Sequence, residues 1–147
     1  MAIKVGVIAE DKCDVEVVDA ILRKVAKKAY SISDFVGHGC GKIVGKCNAW
    51  AHDLRSRGCT CLILVHDLDS RVLKTLNAEL KAALGASPIP QHVLVVPVRE
   101  IEAWLLSDHE AVGKTVRAKK VVKKVANPEA SNHAKEDLRD LIHRITD

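Results

Sequence analysis

The sequence predicts an α/β fold with about four mainly parallel strands flanked by helices, followed by a helical C-terminal tail. Short runs without a polar face, such as Leu62–Val65, are typical of strands buried on both sides of a parallel sheet. Segments with apolar residues at helical spacing alternate with these runs, which indicates strand–helix–strand units. The length of 147 residues suits one domain with a substantial core.

Strands and helices are predicted in alternation along residues 3–98. Short runs of aliphatic residues mark the strands, whereas apolar residues at intervals of three and four mark the helices. In chain order these are a strand at 3–9, a helix with Asp14 as its N-cap, a strand at 31–36, a helix at 41–57, a strand ending at Val65, a helix at 73–84 and a strand at 92–98.

A different pattern begins after Leu106. Apolar residues recur at the spacing of one helical face and predict a helix at Ala118, Val121, Val122 and Val125. Basic residues surround this stripe at Lys114, Arg117, Lys119, Lys120, Lys123 and Lys124. A final helix is predicted from Ala134 to Ile145. We therefore predict an α/β domain over residues 1–108 and a basic helical extension over 109–147 that packs on the same domain.

Acidic residues follow three of the predicted strands. They are Glu10 and Asp14 after the first, Asp67 and Asp69 after the third, and Glu100 and Glu102 after the fourth. Ligands of open α/β sheets bind at the carboxyl ends of the strands, so this edge is the candidate site. The pair Asp67 and Asp69 predicts a hard divalent cation, Mg²⁺ or Mn²⁺, because two close carboxylates repel each other without one. Helix caps and acidic first turns explain the same residues, and both interpretations stay open.

Two other motifs are rejected on their spacing. The glycine-rich turn at 37–42 is unlike a phosphate loop, because the required first glycine would fall on Val36 and Ile43 stands where Ser or Thr should bind the metal. Four candidate zinc ligands match no standard ligand spacing: His38, Cys40, Cys47 and His52. We expect these four side chains to be ordinary loop and helix residues.

Charge is distributed unevenly along the chain. The formal net charge is +4, but without the six basic residues between Lys114 and Lys124 the chain would hold 17 basic and 19 acidic residues. A mildly acidic domain with a basic appendage suits contact with a polyanion, and a solvated helix face without a partner explains the same basic residues, so both interpretations stay open. The candidate nucleic-acid-binding residues are Lys42, Lys119, Lys120, Lys123 and Lys124.

Composition limits the class of protein further. Aromatic residues make up 3% of the chain, which leaves little for a surface that stacks on bases. No apolar run is long enough to span a bilayer, and the N-terminal segment has no signal-peptide pattern. The five cysteines are scattered and odd in number, so we expect reduced thiols and a cytoplasmic location.

The order of acids after the strands resembles the TOPRIM domain of topoisomerases, primases and the overcoming-lysogenisation-defect (OLD) nucleases. The chain is similar in detail to small stand-alone TOPRIM-like proteins, most specifically in the stretch VREIEAWLLSD at Val98–Asp108. The similarity covers roughly Ile3–Asp108. Two departures affect the first loop, because Asp11 and Cys13 stand where OLD-type enzymes favour glycine and Ser or Thr.

The resemblance implies roles for particular residues. It implies that Glu10 acts as an acid/base or metal ligand and that Asp67 and Asp69 bind Mg²⁺, with Asp14 and Glu102 next in rank. A metal at the sheet edge polarises a phosphodiester and lowers the pKa of an attacking water, while a nearby glutamate transfers the proton. The implied fold is TOPRIM/Rossmann-like.

The leading hypothesis is a Mg²⁺-dependent nuclease or nuclease-like subunit. Hydrolysis requires neither the tyrosine nucleophile of topoisomerases nor the second catalytic region of primases. The alternative is a non-catalytic module that binds metal, nucleotide or nucleic acid and regulates a partner ATPase of the kind fused to TOPRIM domains in OLD enzymes. A homo-oligomer is compatible with either. A phosphoacceptor receiver is disfavoured because no fifth strand with its lysine follows.

Overall fold

The structure is a computed structural model that describes residues 2–147, apart from the side chain of Cys40. The chain divides into two compact units. One, the sheet unit, holds the chain up to His66 together with Val72–Val96, and the other, the helical unit, holds Asp67–Arg71 and Pro97–Asp147. This division differs from the one at residue 108 that we draw from the sequence.

The sheet unit contains four parallel strands among the described residues, in the order β2-β1-β3-β4. Its elements are β1 (Ile3–Ala9), α1 (Lys12–Val25), β2 (Tyr30–Val36), α2 (Cys40–Ser56), β3 (Cys61–Val65), α3 (Leu73–Leu84) and β4 (Gln91–Val95). Parallel neighbours need a crossover connection, and each helix supplies one. The predicted α/β class, with four parallel strands flanked by helices, is confirmed.

Strands β1 and β3 lie in the middle of the sheet, and their inward side chains form the core. Val7, Ile8 and Leu64 are fully buried. At Gly6 the helix α2 approaches so closely that an added Cβ would lie 2.9 Å from Cδ1 of Leu54. The middle of β1 is therefore tightly packed against α2.

The apolar residues of α1 are only partly buried. Val18 is buried, but Ile21 is 42% exposed and Val25 is 63% exposed. Within the sheet unit α1 contacts β1 and β2. Its last turns therefore present apolar side chains to solvent.

The helical unit contains α4 (Glu102–Ser107), α5 (His109–Thr115), a short 3₁₀ turn (Pro128–Ala130) and α6 (Ala134–Thr146). The final helix predicted from the sequence is confirmed. Its buried residues Ala134, Leu141 and Ile145 pack with Ala103 and Leu106 of α4 in one apolar cluster.

The helix predicted around Val121 is wrong. Residues 118–127 form neither helix nor strand, and Val121 is 89% exposed, whereas Val122 packs against the apolar cluster. Three β-branched valines lower the helix propensity of this segment. The N–H of Lys119 donates instead to the carbonyl of Ile145, 2.7 Å away. Tertiary contacts thus replace helical hydrogen bonds.

No helix in the described part of the chain is long and apolar enough to cross a membrane. Four cysteines are free thiols, as predicted: Cys13, Cys47, Cys59 and Cys61. The side chain of Cys40 lies outside the described residues.

Candidate functional site

The loop after β1 carries three carboxylates. Glu10 comes directly after the strand, and Asp11 is the N-cap of α1, which corrects the predicted N-cap at Asp14. Asp14 is the third helical residue, and its Oδ2 accepts a hydrogen bond from the backbone N–H of Asp11 at 2.9 Å. The two aspartates form a reciprocal capping box. The helix α1 therefore begins about one turn earlier than predicted, with Asp11 as its N-cap.

A histidine that the sequence analysis missed holds Glu10. His66 follows β3, is fully buried, and places its Nδ1 3.0 Å from Oε1 of Glu10, whose side chain is 17% exposed. The β1–β3 register pairs Ile8 with Leu64, and continuing it by two residues brings Glu10 level with His66. When Nδ1 carries a proton, His66 donates to Glu10 whether the imidazole ring is neutral or charged. The signal that could reveal His66 is its position directly after β3, once β1 and β3 are known to be neighbours.

The carboxyl of Asp14 is buried and lies near other negative charges. Its side chain is almost completely buried. Desolvation raises the pKa of this carboxyl above its usual value, and the charges of Glu10 and Asp11 raise it further, against the lowering effect of the hydrogen bond from Asp11. A cation near these carboxylates would relieve their repulsion.

Asp67 and Asp69 belong to the helical unit. Asp67 is partly buried, and Asp69 is exposed with a left-handed φ of 50°. The N–H of Asp69 donates to the carbonyl of Arg99 at 2.9 Å, and the guanidinium of Arg99 donates back to the carbonyl of Asp69 at 3.1 Å. Arg99 is also left-handed, with a φ of 67°. These paired bonds fix the backbone around Asp69.

The alternative interpretation of Asp69 as a helix cap does not hold for α3. The helix begins at Leu73, and its N-cap is Val72, which makes no side-chain capping bond. The carboxylate of Asp69 is therefore not explained as a cap of this helix.

The two glutamates after β4 have different positions. Oε2 of Glu100 accepts the N–H of Lys135 at 2.9 Å, in the first turn of α6. Glu102 is the first residue of α4 and is partly buried. Glu100 thus has a structural explanation, and Glu102 stays a candidate ligand.

The predicted metal ligands are divided between the units, with Glu10 and Asp14 in the sheet unit and Asp67, Asp69 and Glu102 in the helical unit. Across the described residues, no group of three or more His, Cys, Asp or Glu side chains is arranged to hold a metal ion. Mg²⁺ does not require such a group, because it commonly takes one or two protein carboxylates and completes its shell with water and phosphate oxygens. The donors present are hard oxygens, which suit Mg²⁺.

The lysines predicted to contact nucleic acid are all exposed. Lys42 lies in the first turn of α2, in the sheet unit. The others lie on the irregular segment of the helical unit: Lys119, Lys120, Lys123 and Lys124.

The chain matches one known family. The family model described as "Domain of unknown function (DUF4276)" covers residues 9–147. No curated protein matches the chain, and no solved structure does.

Proposed function

The chain belongs to the DUF4276 family, a domain of unknown function, and we propose from the chemistry of its site that it is a Mg²⁺-dependent phosphodiester hydrolase that acts on nucleic acid. In this proposal Glu10 is the acid/base, and Asp67 and Asp69 are the first metal ligands. Asp14 and Glu102 are further ligands of lower rank. The order of acids after β1, β3 and β4 and the resemblance to TOPRIM domains support the proposal.

The pair of Glu10 and His66 carries the proposal. Both residues directly follow neighbouring parallel strands, at the edge where α/β proteins bind their ligands. A carboxylate fixed by a buried histidine is held in one orientation, as a proton-transferring group requires. Glu10 can then accept the proton of an attacking water and return it to the leaving oxygen.

The metal is the second part of the proposal. Asp67 is covalently next to His66 in the chain, and Asp69 follows two residues later. Mg²⁺ bound by these carboxylates would polarise the phosphodiester and lower the pKa of a water. A cation would also balance the negative charges of Glu10 and Asp11, which add to the desolvation that chiefly raises the pKa of Asp14.

The substrate class follows from charge. A carboxylate-rich site repels a polyanion, so binding needs positive charge elsewhere. Exposed Lys42 and the exposed lysines at 119–124 are suitable phosphate contacts. We also propose a cytoplasmic location, which the free thiols support. The resemblance to OLD enzymes supports a partner ATPase. Self-association is compatible with this proposal.

Cleavage of labelled single- and double-stranded DNA and RNA in Mn²⁺ tests this function. We expect Glu10→Gln to abolish cleavage while the circular dichroism spectrum is unchanged, because glutamine keeps the shape and loses the proton-accepting charge. Glu16→Gln makes the same chemical change at an exposed position of α1 and should keep full activity.

Two results would count against the proposal. Cleavage that survives in Glu10→Gln would remove Glu10 from the chemistry. A wild-type chain that binds nucleic acid but never cleaves it, even with a partner ATPase added, would favour the non-catalytic regulatory module.

A further inference from the structure

Part of the sheet unit exposes apolar side chains that its own helices leave uncovered. Ile21 and Val25 of α1 are 42% and 63% exposed, and Val93 of β4 is 50% exposed. Isolated exposed apolar residues are ordinary, but a contiguous patch marks an interaction site. A groove of about 360 Å³ lies on this side of the sheet unit and is lined by Leu22 of α1 and Ile63 of β3. Val93 pairs with Ile63 in the β3–β4 register and therefore lies beside the groove on the same face of the sheet.

The groove lies on one face of the sheet, near the amino ends of the strands. The register pairs Ile3 with Tyr30 and Val5 with Cys61, so these side chains share one face. Gly6 alternates with Val5 and therefore faces the other side, where α2 packs through Leu54. Parallel sheets are normally covered on both faces. Here the α1 side keeps an open apolar strip.

The charged side chains that line the groove are basic. Lys27 and Lys28 line it, and Lys24 precedes them by three and four residues in the sequence. No Asp or Glu occurs in the sequence from residue 20 to 33, and among the described residues none lines the groove. Complementary charge selects partners, and like charges facing each other oppose binding. An acidic partner suits this surface better than a second copy of it.

We propose that this amino-end groove docks an acidic amphipathic segment of a partner protein. Apolar side chains of the segment would pack against Leu22 and Ile63, and its carboxylates would pair with Lys27 and Lys28. This is helix-in-groove recognition, with apolar anchors spaced at i, i+3, i+4 and i+7. The groove is distinct from the carboxyl ends of the strands, so the inference stands whether or not the chain cleaves nucleic acid.

Fluorescence anisotropy with the full chain and three labelled peptides tests the inference. The peptides are about 16 residues long, above the length at which helices are marginal. One has Leu anchors at the four positions with Glu elsewhere, the second has the same anchors with Lys, and the third has the Glu composition with scrambled anchors. We expect the first to bind about tenfold more tightly than either of the others.

Substitutions in and outside the groove test where the peptides bind. Lys27→Glu with Lys28→Glu should weaken the Glu peptide about tenfold and strengthen the Lys peptide. Lys46→Glu with Lys74→Glu makes the same change of charge on exposed positions of α2 and α3 and should change neither. Val93→Asp should weaken the Glu peptide with the melting temperature maintained, because Val93 is half exposed.

Three outcomes would overturn the inference. The first is equal binding of the three peptides, or no binding of any. The second is wild-type affinity in the Lys27/Lys28 variant. The third is a concentration-dependent dimer in sedimentation that Val93→Asp dissociates, because a second copy would then cover the face.

Discussion

At the scale of single residues, the proposed chemistry depends on a carboxylate held by a buried histidine. Removing an ionisable pair from water is unfavourable unless each member finds a good partner, and the 3.0 Å contact between His66 and Glu10 provides one. Residues that hold a reacting group in place commonly matter almost as much as the group itself. His66 is accordingly a positioning residue for Glu10.

Replacing His66 tests this role. We expect His66→Phe to slow cleavage about 10- to 100-fold, because Glu10 loses its donor, with little change in the Kd for nucleic acid. His66→Gln can still donate and should recover part of the rate. Single-turnover cleavage and anisotropy measure the two quantities separately. A His66→Phe enzyme that is folded and fully active would remove the histidine from the mechanism.

At the scale of elements, side-chain hydrogen bonds join α1 to β2, and Tyr30 supplies one of them. The hydroxyl of Tyr30 donates to Oδ1 of Asp19 at 2.9 Å. The Tyr30 hydroxyl, followed by the bond from Arg23, lowers the pKa of Asp19 below its usual value. A carboxyl with a lowered folded-state pKa stabilises the fold when ionised in both states, above its unfolded pKa of about 3.9.

The stability that Tyr30 provides should therefore depend on pH. We expect Tyr30→Phe to lower the melting temperature by a constant amount between pH 5 and 8. The difference from wild type should shrink as the pH falls below about 3.9 and through the lower folded-state pKa of Asp19. Thermal unfolding at a series of pH values measures it. A melting-temperature difference between Tyr30→Phe and wild type that grows in acid would contradict the role of Asp19. In chains that carry Asp19→Asn, the effect of Tyr30→Phe should not depend on pH.

Elements with a strong local signal are the ones that the sequence predicts well. Strand β1 has the predicted bounds Ile3–Ala9, and α3 ends at Leu84 as expected, with Gly85 as its C-cap. The start of α1 and the segment around Val121 are mispredicted, because a capping box and contacts to α6 decide them. His66 is missed for a related reason, since its contact with Glu10 depends on which strands are neighbours.

At the scale of the whole molecule, positive charge is concentrated in one irregular segment. Its lysines are exposed without a helix to align them, so the proposed contact with phosphates does not depend on the helical face that we predicted. Each neutralised phosphate contributes about −0.9 to the slope of log K against log salt on duplex DNA. Three or four contacts would give a slope of about −3.

Replacing four of these lysines tests that role. We expect the slope to approach zero when Lys119, Lys120, Lys123 and Lys124 are changed to Gln. Binding by anisotropy over a range of salt concentrations measures the slope, and replacing two exposed lysines of the sheet unit, Lys46 and Lys74, is the control. An unchanged slope in the quadruple variant would assign the segment to solubility or to a protein partner.

The central claim is that the carboxylates after the strands bind a divalent cation, and thermal unfolding with and without Mn²⁺ tests it most directly. At a hundredfold excess over Kd, a ligand of the folded state adds about 2.7 kcal/mol, which raises the melting temperature of a chain of this size by several degrees. We expect that rise in wild type, its loss in Asp67→Asn and its retention in Asp140→Asn, an exposed change on α6. A wild-type melting curve that does not respond to millimolar Mn²⁺ would contradict the metal site.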